Sequence, residues 1–264
     1  MRRISTSAIR NKKNKEKITM LTAYDYSTAR ILDEAGIDML LVGDSLGMVM
    51  LGYEDTTKVT MADMIHHTKA VARGTGTAMV VADMPFLSCH LGLENTLKNA
   101  GALISEGGAH AVKIEGGATM AEQIAAVTAA GIPVVGHIGL TPQSVLNFGG
   151  FKMQGKTDES AKELIEDAKA IEQAGVFAVV VEFVPAKIGK KIAESVGIPV
   201  IGIGAGCDCD GQVLVCNDML GTYSDFTPRF VKRFANLKPE MLSAVQDYIE
   251  EVKNGSFPSA EHVF

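Results

Sequence analysis

The sequence predicts an α/β fold, a (β/α)8 TIM barrel with a short N-terminal helix and a C-terminal helical extension, and three observations lead there. Short apolar runs end four times in an acid: 39–42 passes through Gly43 into Asp44, 78–82 runs into Asp83, 110–114 into Glu115 and 176–181 into Glu182. This is the pattern of buried strands delivering carboxylates to loops. The four acids are separated by 39, 32 and 67 residues, against roughly 31 residues per strand-plus-helix unit in an eight-unit barrel of ~250 residues. Apolar runs also alternate with segments of helical spacing along most of the 264 residues, which favours a closed parallel barrel over an open sheet. No G-x-G-x-x-G opens the first unit, so a dinucleotide fold is disfavoured.

The chain begins with a basic stretch in which Arg2, Arg3, Arg10, Lys12, Lys13, Lys15 and Lys17 stand against Glu16. Without an apolar secretory region it reads as a short solvated helix running into the first strand, 18–23. A helix over 26–35 closes at Gly36, and the second strand delivers Asp44. The connection 47–60 carries Gly52, Tyr53, Thr56 and Thr57 and is too long for an ordinary turn, so an active-site loop is expected. A helix over 61–73 precedes the third strand, and Pro85 fixes the backbone just beyond Asp83.

The helix 93–106 ends at Gly107-Gly108, the fourth strand delivers Glu115, and a helix over 120–130 closes at Gly131. Residues 132–142 are the fifth strand and its exit, followed by a Gly-rich excursion over 147–156. The helix 158–174 shows helical spacing of Ala161, Leu164, Ile165, Ala168 and Ile171, as an amphipathic face requires. After the sixth strand come a helix over 186–196 stopped by Gly197 and a seventh strand over 198–203. Gly204-Ala205-Gly206 then leaves room for backbone amides beside an anion. An eighth strand over 211–216, a final helix over 238–253 and a ten-residue arm complete one expected domain over 1–264.

A formal net charge of −6 and a pI near 5.6 argue against nucleic acid or an anionic membrane as partner, since both want a basic field. No run reaches ~18 apolar residues, so no membrane-spanning helix is expected and small-molecule substrates are the natural partners. Cys89, Cys207, Cys209 and Cys216 read as free thiols of a cytoplasmic protein, because the Cys207–Cys209 pair lacks the second pair of a structural zinc site.

Asp44, Asp83 and Glu115 are hard oxygen donors that suit Mg2+ if they meet, and are capping or surface acids if they do not. Lys113 lies two residues before Glu115 and shares its face. Three roles fit it: capture of a substrate carboxylate, an ion pair inside the barrel, or a Schiff base. Six apolar residues precede Glu182, which suits either a general base in a dry mouth or an exposed strand-end glutamate. His137 fits a substrate contact and a structural histidine equally, and His66 and His67 fall mid-helix without an assigned role.

The motifs Gly43-Asp44-Ser45-Leu46-Gly47-Met48, Ala82-Asp83-Met84-Pro85-Phe86, Val112-Lys113-Ile114-Glu115-Gly116-Gly117, 136–143 and Gly202-Ile203-Gly204-Ala205-Gly206 resemble, in order and spacing, those of the 3-methyl-2-oxobutanoate (ketopantoate) hydroxymethyltransferase family. The resemblance runs from 21–25 to 210–215. It implies transfer of a one-carbon unit from 5,10-methylenetetrahydrofolate to 3-methyl-2-oxobutanoate through a Mg2+-stabilised enolate, an early step of pantothenate formation. It also implies a homodecamer.

Carried over residue by residue, Asp44, Asp83 and Glu115 would hold the metal, Asp44, Ser45, Asp83 and Lys113 would contact the oxo acid, and Glu182 would accept the proton. His137 would line the same mouth as a substrate contact. Cys89 and the Cys207–Cys209 pair depart from the family pattern outside the metal shell. The rival expectations are a Mg2+-dependent lyase or mutase acting on another 2-oxo acid, and a barrel that has lost catalysis and serves only in binding.

Overall fold

The structure, a computed structural model, describes residues 3–222 and 228–264, so Arg2 of the basic stretch lies outside the described residues. The chain divides into two compact units, Met1–Val215 and Cys216–Phe264. In the first, the strands β1 (Ile18–Thr22), β2 (Met39–Val42), β3 (Met79–Asp83), β4 (Ala111–Glu115), β5 (Val134–Gly139), β6 (Ala178–Glu182), β7 (Val200–Ile203) and β8 (Gly211–Leu214) pair in sequence order. All pairs are parallel, and β8 returns to β1 to close the barrel. The expected fold class holds.

Side chains alternate along a strand, so every second residue faces the barrel interior. Ile18, Met20, Met39, Leu41, Met79, Val81, Ala111, Val135, Ala178, Val180, Ile201 and Val213 form one buried cluster with contributions from all eight strands. One step further along the same faces the residue type changes. Val81 is followed by Asp83, Ala111 by Lys113, Val135 by His137 and Val180 by Glu182. Period two thus stacks a polar layer at the carboxyl end on an apolar core, and that end is where such barrels keep their chemistry.

The opposite end is closed by the helix Thr6–Asn11, capped by Ser5, whose hydroxyl accepts from the Ala8 amide. The sequence led us to expect a merely solvated helix, and the structure corrects that. Ile9 is fully buried in the barrel cluster, Lys12 pairs with Asp38 at 2.6 Å and Lys13 with Asp210 at 2.7 Å. An open barrel end would leave the lowest apolar layer wet, and burying an isoleucine there contributes about 1.5–3 kcal/mol.

The connection 47–60 is more ordered than its length implied, since it holds the helical turns Leu46–Val49 and Thr56–Lys58. Likewise the fifth strand's exit forms the turns Pro142–Ser144 and Val145–Phe148. In the second unit, the helix Leu237–Asn254 has no buried residue. Cys89 and Cys209 are buried free thiols and Cys207 is an exposed one.

Candidate active site

Register explains which groups meet. Asp83 is paired with Lys113, Glu115 with His137, and Gly139 with Glu182. Adjacent strands lie ~4.8 Å apart, so side chains on the same face at paired or diagonal positions are within ion-pair reach. Lys113 Nζ stands 3.2 Å from Asp83 Oδ1, 3.6 Å from Glu115 Oε1 and 3.0 Å from His137 Nδ1. His137 Nδ1 is 3.2 Å from Glu115 Oε1, and its Nε2 is 3.1 Å from Glu182 Oε2, close enough for an ion pair though not aligned as a hydrogen bond.

Asp44 arrives from the turn beyond β2. Its backbone N–H donates to Asp83 Oδ2 at 3.0 Å. A Cβ on Gly43 in that turn would lie 2.8 Å from Ser45 Oγ, so any larger residue there would have to turn that hydroxyl aside. Ser45 Oγ is hydrogen-bonded to Tyr24 OH at 2.8 Å. Gln143 enters from the turn beyond β5, its side-chain amide donating to Asp44 Oδ2 at 2.8 Å and its backbone N–H to Glu115 Oε2 at 3.1 Å. The structure therefore brings Asp44, Asp83, Lys113, Glu115, His137 and Glu182 into one network, with Ser45 beside it.

Burial and like charge set the electrostatics. Asp44 is pushed well above the usual carboxylate range by burial first and then by Glu115 and Asp83. Asp83 is raised by burial, which the nearby Lys113 only partly offsets. Burial also works against ionised Glu115, but His137 and Lys113 outweigh it and hold the group low. For Lys113, Asp83, Glu115 and Asp44 outweigh burial and hold the ammonium charged. The imidazolium of His137, opposed by burial and by Lys113, is held to a pKa of about 9 by Glu115 and Glu182.

The donor set suits a hard cation. Asp83 Oδ1 and Glu115 Oε1 are buried without a hydrogen-bond partner among the described residues, and Asp44 is driven to keep its proton where a cation would release it. Among the described residues no three His, Cys, Asp or Glu side chains are spaced to cage a metal as they stand; Lys113 Nζ occupies the ground between Asp83 and Glu115. Three carboxylate donors at one barrel mouth still fit Mg2+ in kind.

The small residues after β7 also serve packing. Gly189 is needed because a Cβ would lie 2.2 Å from the Ala205 carbonyl, and Gly206 because one would lie 2.6 Å from Ala186 Cβ. The small residues after β7 thus let that loop sit tightly on the helix Ala186–Ser195. Cys209 is buried with its thiol pushed up to about 11 by that burial, and Cys207 is exposed. Sequence reasoning gave no role to Gln143 or Tyr24, although Gln143 closes one of the quoted motifs. Only the spatial approach of the loops reveals what either touches.

Fold and site together define a (β/α)8-barrel enzyme whose mouth concentrates carboxylates around a buried lysine. Solved structures with this architecture include a phosphonopyruvate hydrolase (TM-score 0.63, 14% identity, 97% of this chain and 89% of that one) and a 2,3-dimethylmalate lyase (TM-score 0.61, 17% identity, 98% and 90%); they share the fold. The chain belongs to the ketopantoate hydroxymethyltransferase family, whose model matches residues 3–260. The 3-methyl-2-oxobutanoate hydroxymethyltransferase of Syntrophus aciditrophicus (strain SB) is 61% identical over 264 residues, 100% of this chain and 97% of the relative. That of Enterococcus faecalis (strain ATCC 700802 / V583) is 62% identical over 254 residues, 96% of this chain and 92% of the relative. The expectation of a hydroxymethyltransferase is borne out at the level of family.

Proposed function

We propose that this chain transfers a hydroxymethyl group from 5,10-methylenetetrahydrofolate to 3-methyl-2-oxobutanoate, giving 2-dehydropantoate, and that it does so in the cytoplasm as a homo-oligomer. The observation that carries the reading is a single mouth holding Asp44, Asp83, Lys113, Glu115 and Glu182 in a member of this family. The free thiols of Cys89, Cys207 and Cys209 support the reducing compartment, and among the described residues no helix is long and apolar enough to cross a membrane.

Glu182 is the proton acceptor. Its side chain is 17% exposed against 3% for Asp83 and 5% for Glu115, so of these three carboxylates it is the one a substrate reaches most readily. It takes the proton from C3 of the oxo acid, C3 then forms the new carbon–carbon bond to the folate methylene carbon, water adds the hydroxyl oxygen to the same carbon, and the two methylene carbon–nitrogen bonds break, so that tetrahydrofolate leaves with its nitrogens carrying the C3 proton and one proton of the water. Lys113 pairs with the substrate carboxylate, and Ser45, its hydroxyl held by Tyr24, contacts the same molecule. His137 steadies Glu182 from Nε2. Asp44, Asp83 and Glu115 would hold Mg2+, which when bound would supply a Lewis acid for the charge developing on the keto oxygen.

Proton abstraction precedes carbon transfer, so it can be tested without folate. Enzyme with Mg2+ in D2O should exchange the C3 proton of 3-methyl-2-oxobutanoate, followed by proton NMR, and 2-dehydropantoate should form only when 5,10-methylenetetrahydrofolate is added. Absence of exchange with metal present, or product formation independent of folate, would overturn the proposal.

A further inference from the structure

Gln143 is 9% exposed, and this one residue ties the ends of three strands together. Its side-chain nitrogen donates to Asp44 Oδ2 at 2.8 Å and to the Met84 carbonyl at 2.9 Å, and its backbone N–H donates to Glu115 Oε2 at 3.1 Å. A primary amide nitrogen carries two hydrogens, and both are used. The Met84 carbonyl belongs to a backbone segment already fixed by the bond from Met84 N to the Lys113 carbonyl at 2.9 Å. It therefore anchors the plane of the amide, and the second hydrogen is aimed at Asp44.

The three acids share a pattern. On each, one oxygen accepts from an amide: Asp44 Oδ2 from the Gln143 side chain, Glu115 Oε2 from the Gln143 backbone and Asp83 Oδ2 from the Asp44 backbone. The opposite oxygens of two of them, Asp83 Oδ1 and Glu115 Oε1, make no aligned hydrogen bond among the described residues and face positive charge instead: Lys113 Nζ stands 3.2 Å from the first and 3.6 Å from the second, and His137 Nδ1 3.2 Å from the second. We infer that Gln143 is a positioning residue of the cation site, deciding which oxygen of Asp44 and of Glu115 is left to face the ion. The inference rests on the reading of Asp44, Asp83 and Glu115 as metal ligands. Groups that orient ligands in this way typically matter ~10- to 100-fold in metal affinity. A loop fastener alone would not need an amide directed at a carboxylate, since the turn is already closed by Ser144 N donating to the Thr141 carbonyl at 2.8 Å.

The full chain, stripped of metal with chelator, is titrated with Mn2+ and followed by electron paramagnetic resonance, for wild type, Gln143→Met and Gln143→Asn. Methionine matches the length without a donor, and asparagine keeps an amide one methylene short of Asp44. Both variants should bind Mn2+ ~10- to 100-fold more weakly, and the bound ion should give an altered spectrum at saturation. Their thermal unfolding temperature in chelator should fall by only a few degrees. Wild-type affinity and spectrum in either folded variant would overturn the inference. So would weakened binding accompanied by an unchanged spectrum and a collapse of metal-free stability, which marks a structural role. Failure of the wild type itself to bind Mn2+ is a separate result that removes the metal reading and this inference with it.

Discussion

Glu182 and His137 form the pair on which the proposed chemistry turns, with Oε2 and Nε2 3.1 Å apart. Glu182→Gln keeps the shape and removes the base. C3 exchange should fall ~10²- to 10⁴-fold while oxo-acid binding changes little, and exchange at the wild-type rate by NMR would place the base elsewhere. Lys113 is already paired with Asp83 and Glu115 and held charged, which opposes the neutral amine that imine formation needs. Borohydride added with the oxo acid should leave the protein mass unchanged; an adduct on Lys113 would reassign it. His137 gives a pH signature. Its pKa of about 9 in the folded chain exceeds the ~6.5 of an unfolded histidine, so its stabilising contribution is complete below ~6.5 and lost as pH rises through about 9. In chelator, urea unfolding should show stability declining across that window by roughly 3 kcal/mol at the limit, and His137→Gln should flatten the decline.

At the scale of elements, the site depends on how closely strand ends pass one another. Gly139 closes β5 at φ 92°, and a Cβ on it would lie 2.3 Å from the Glu182 carbonyl, which accepts from Leu140 N at 2.8 Å. The residue that follows β6, Phe183, is itself at φ 48°, a conformation non-glycine residues adopt only when their surroundings impose it. Gly139→Ala should therefore cost ~1–3 kcal/mol through strain and push Glu182 out of place. A displacement near 1 Å is enough to slow a reaction ~10²-fold. The paired readout is the urea midpoint and the C3 exchange rate. A stability loss with wild-type exchange would show that Glu182 does not depend on this close passage.

At the scale of the molecule, the helix Leu237–Asn254 carries Met241, Leu242, Val245, Tyr248, Ile249 and Val252 along its length, each between 43% and 58% exposed. The resemblance behind the homo-oligomer expectation gives such a row a use, since apolar rows left in water favour association. Light scattering at micromolar concentration should return a mass several-fold above the 28.0 kDa of one chain, tenfold for a decamer. A monomer would end that proposal.

By itself the sequence determined the strand-and-helix order and the carboxyl-end placement of Asp83, Lys113, Glu115 and Glu182, because period-two alternation and acid-terminated apolar runs are local properties of the chain, while the family followed from the resemblance of its motifs. Element ends were legible to within one or two residues wherever a glycine or a cap closes a helix, as at Gly36 and Gly131. Only the tertiary structure decided that Ile9 plugs the barrel, that His137 lies between Glu115 and Glu182, and that Gln143 reaches Asp44 from 99 residues away. Those contacts follow from interstrand register and from loops meeting across the barrel mouth. Both are fixed by the packing of the whole barrel, so no local pattern in the chain encodes them.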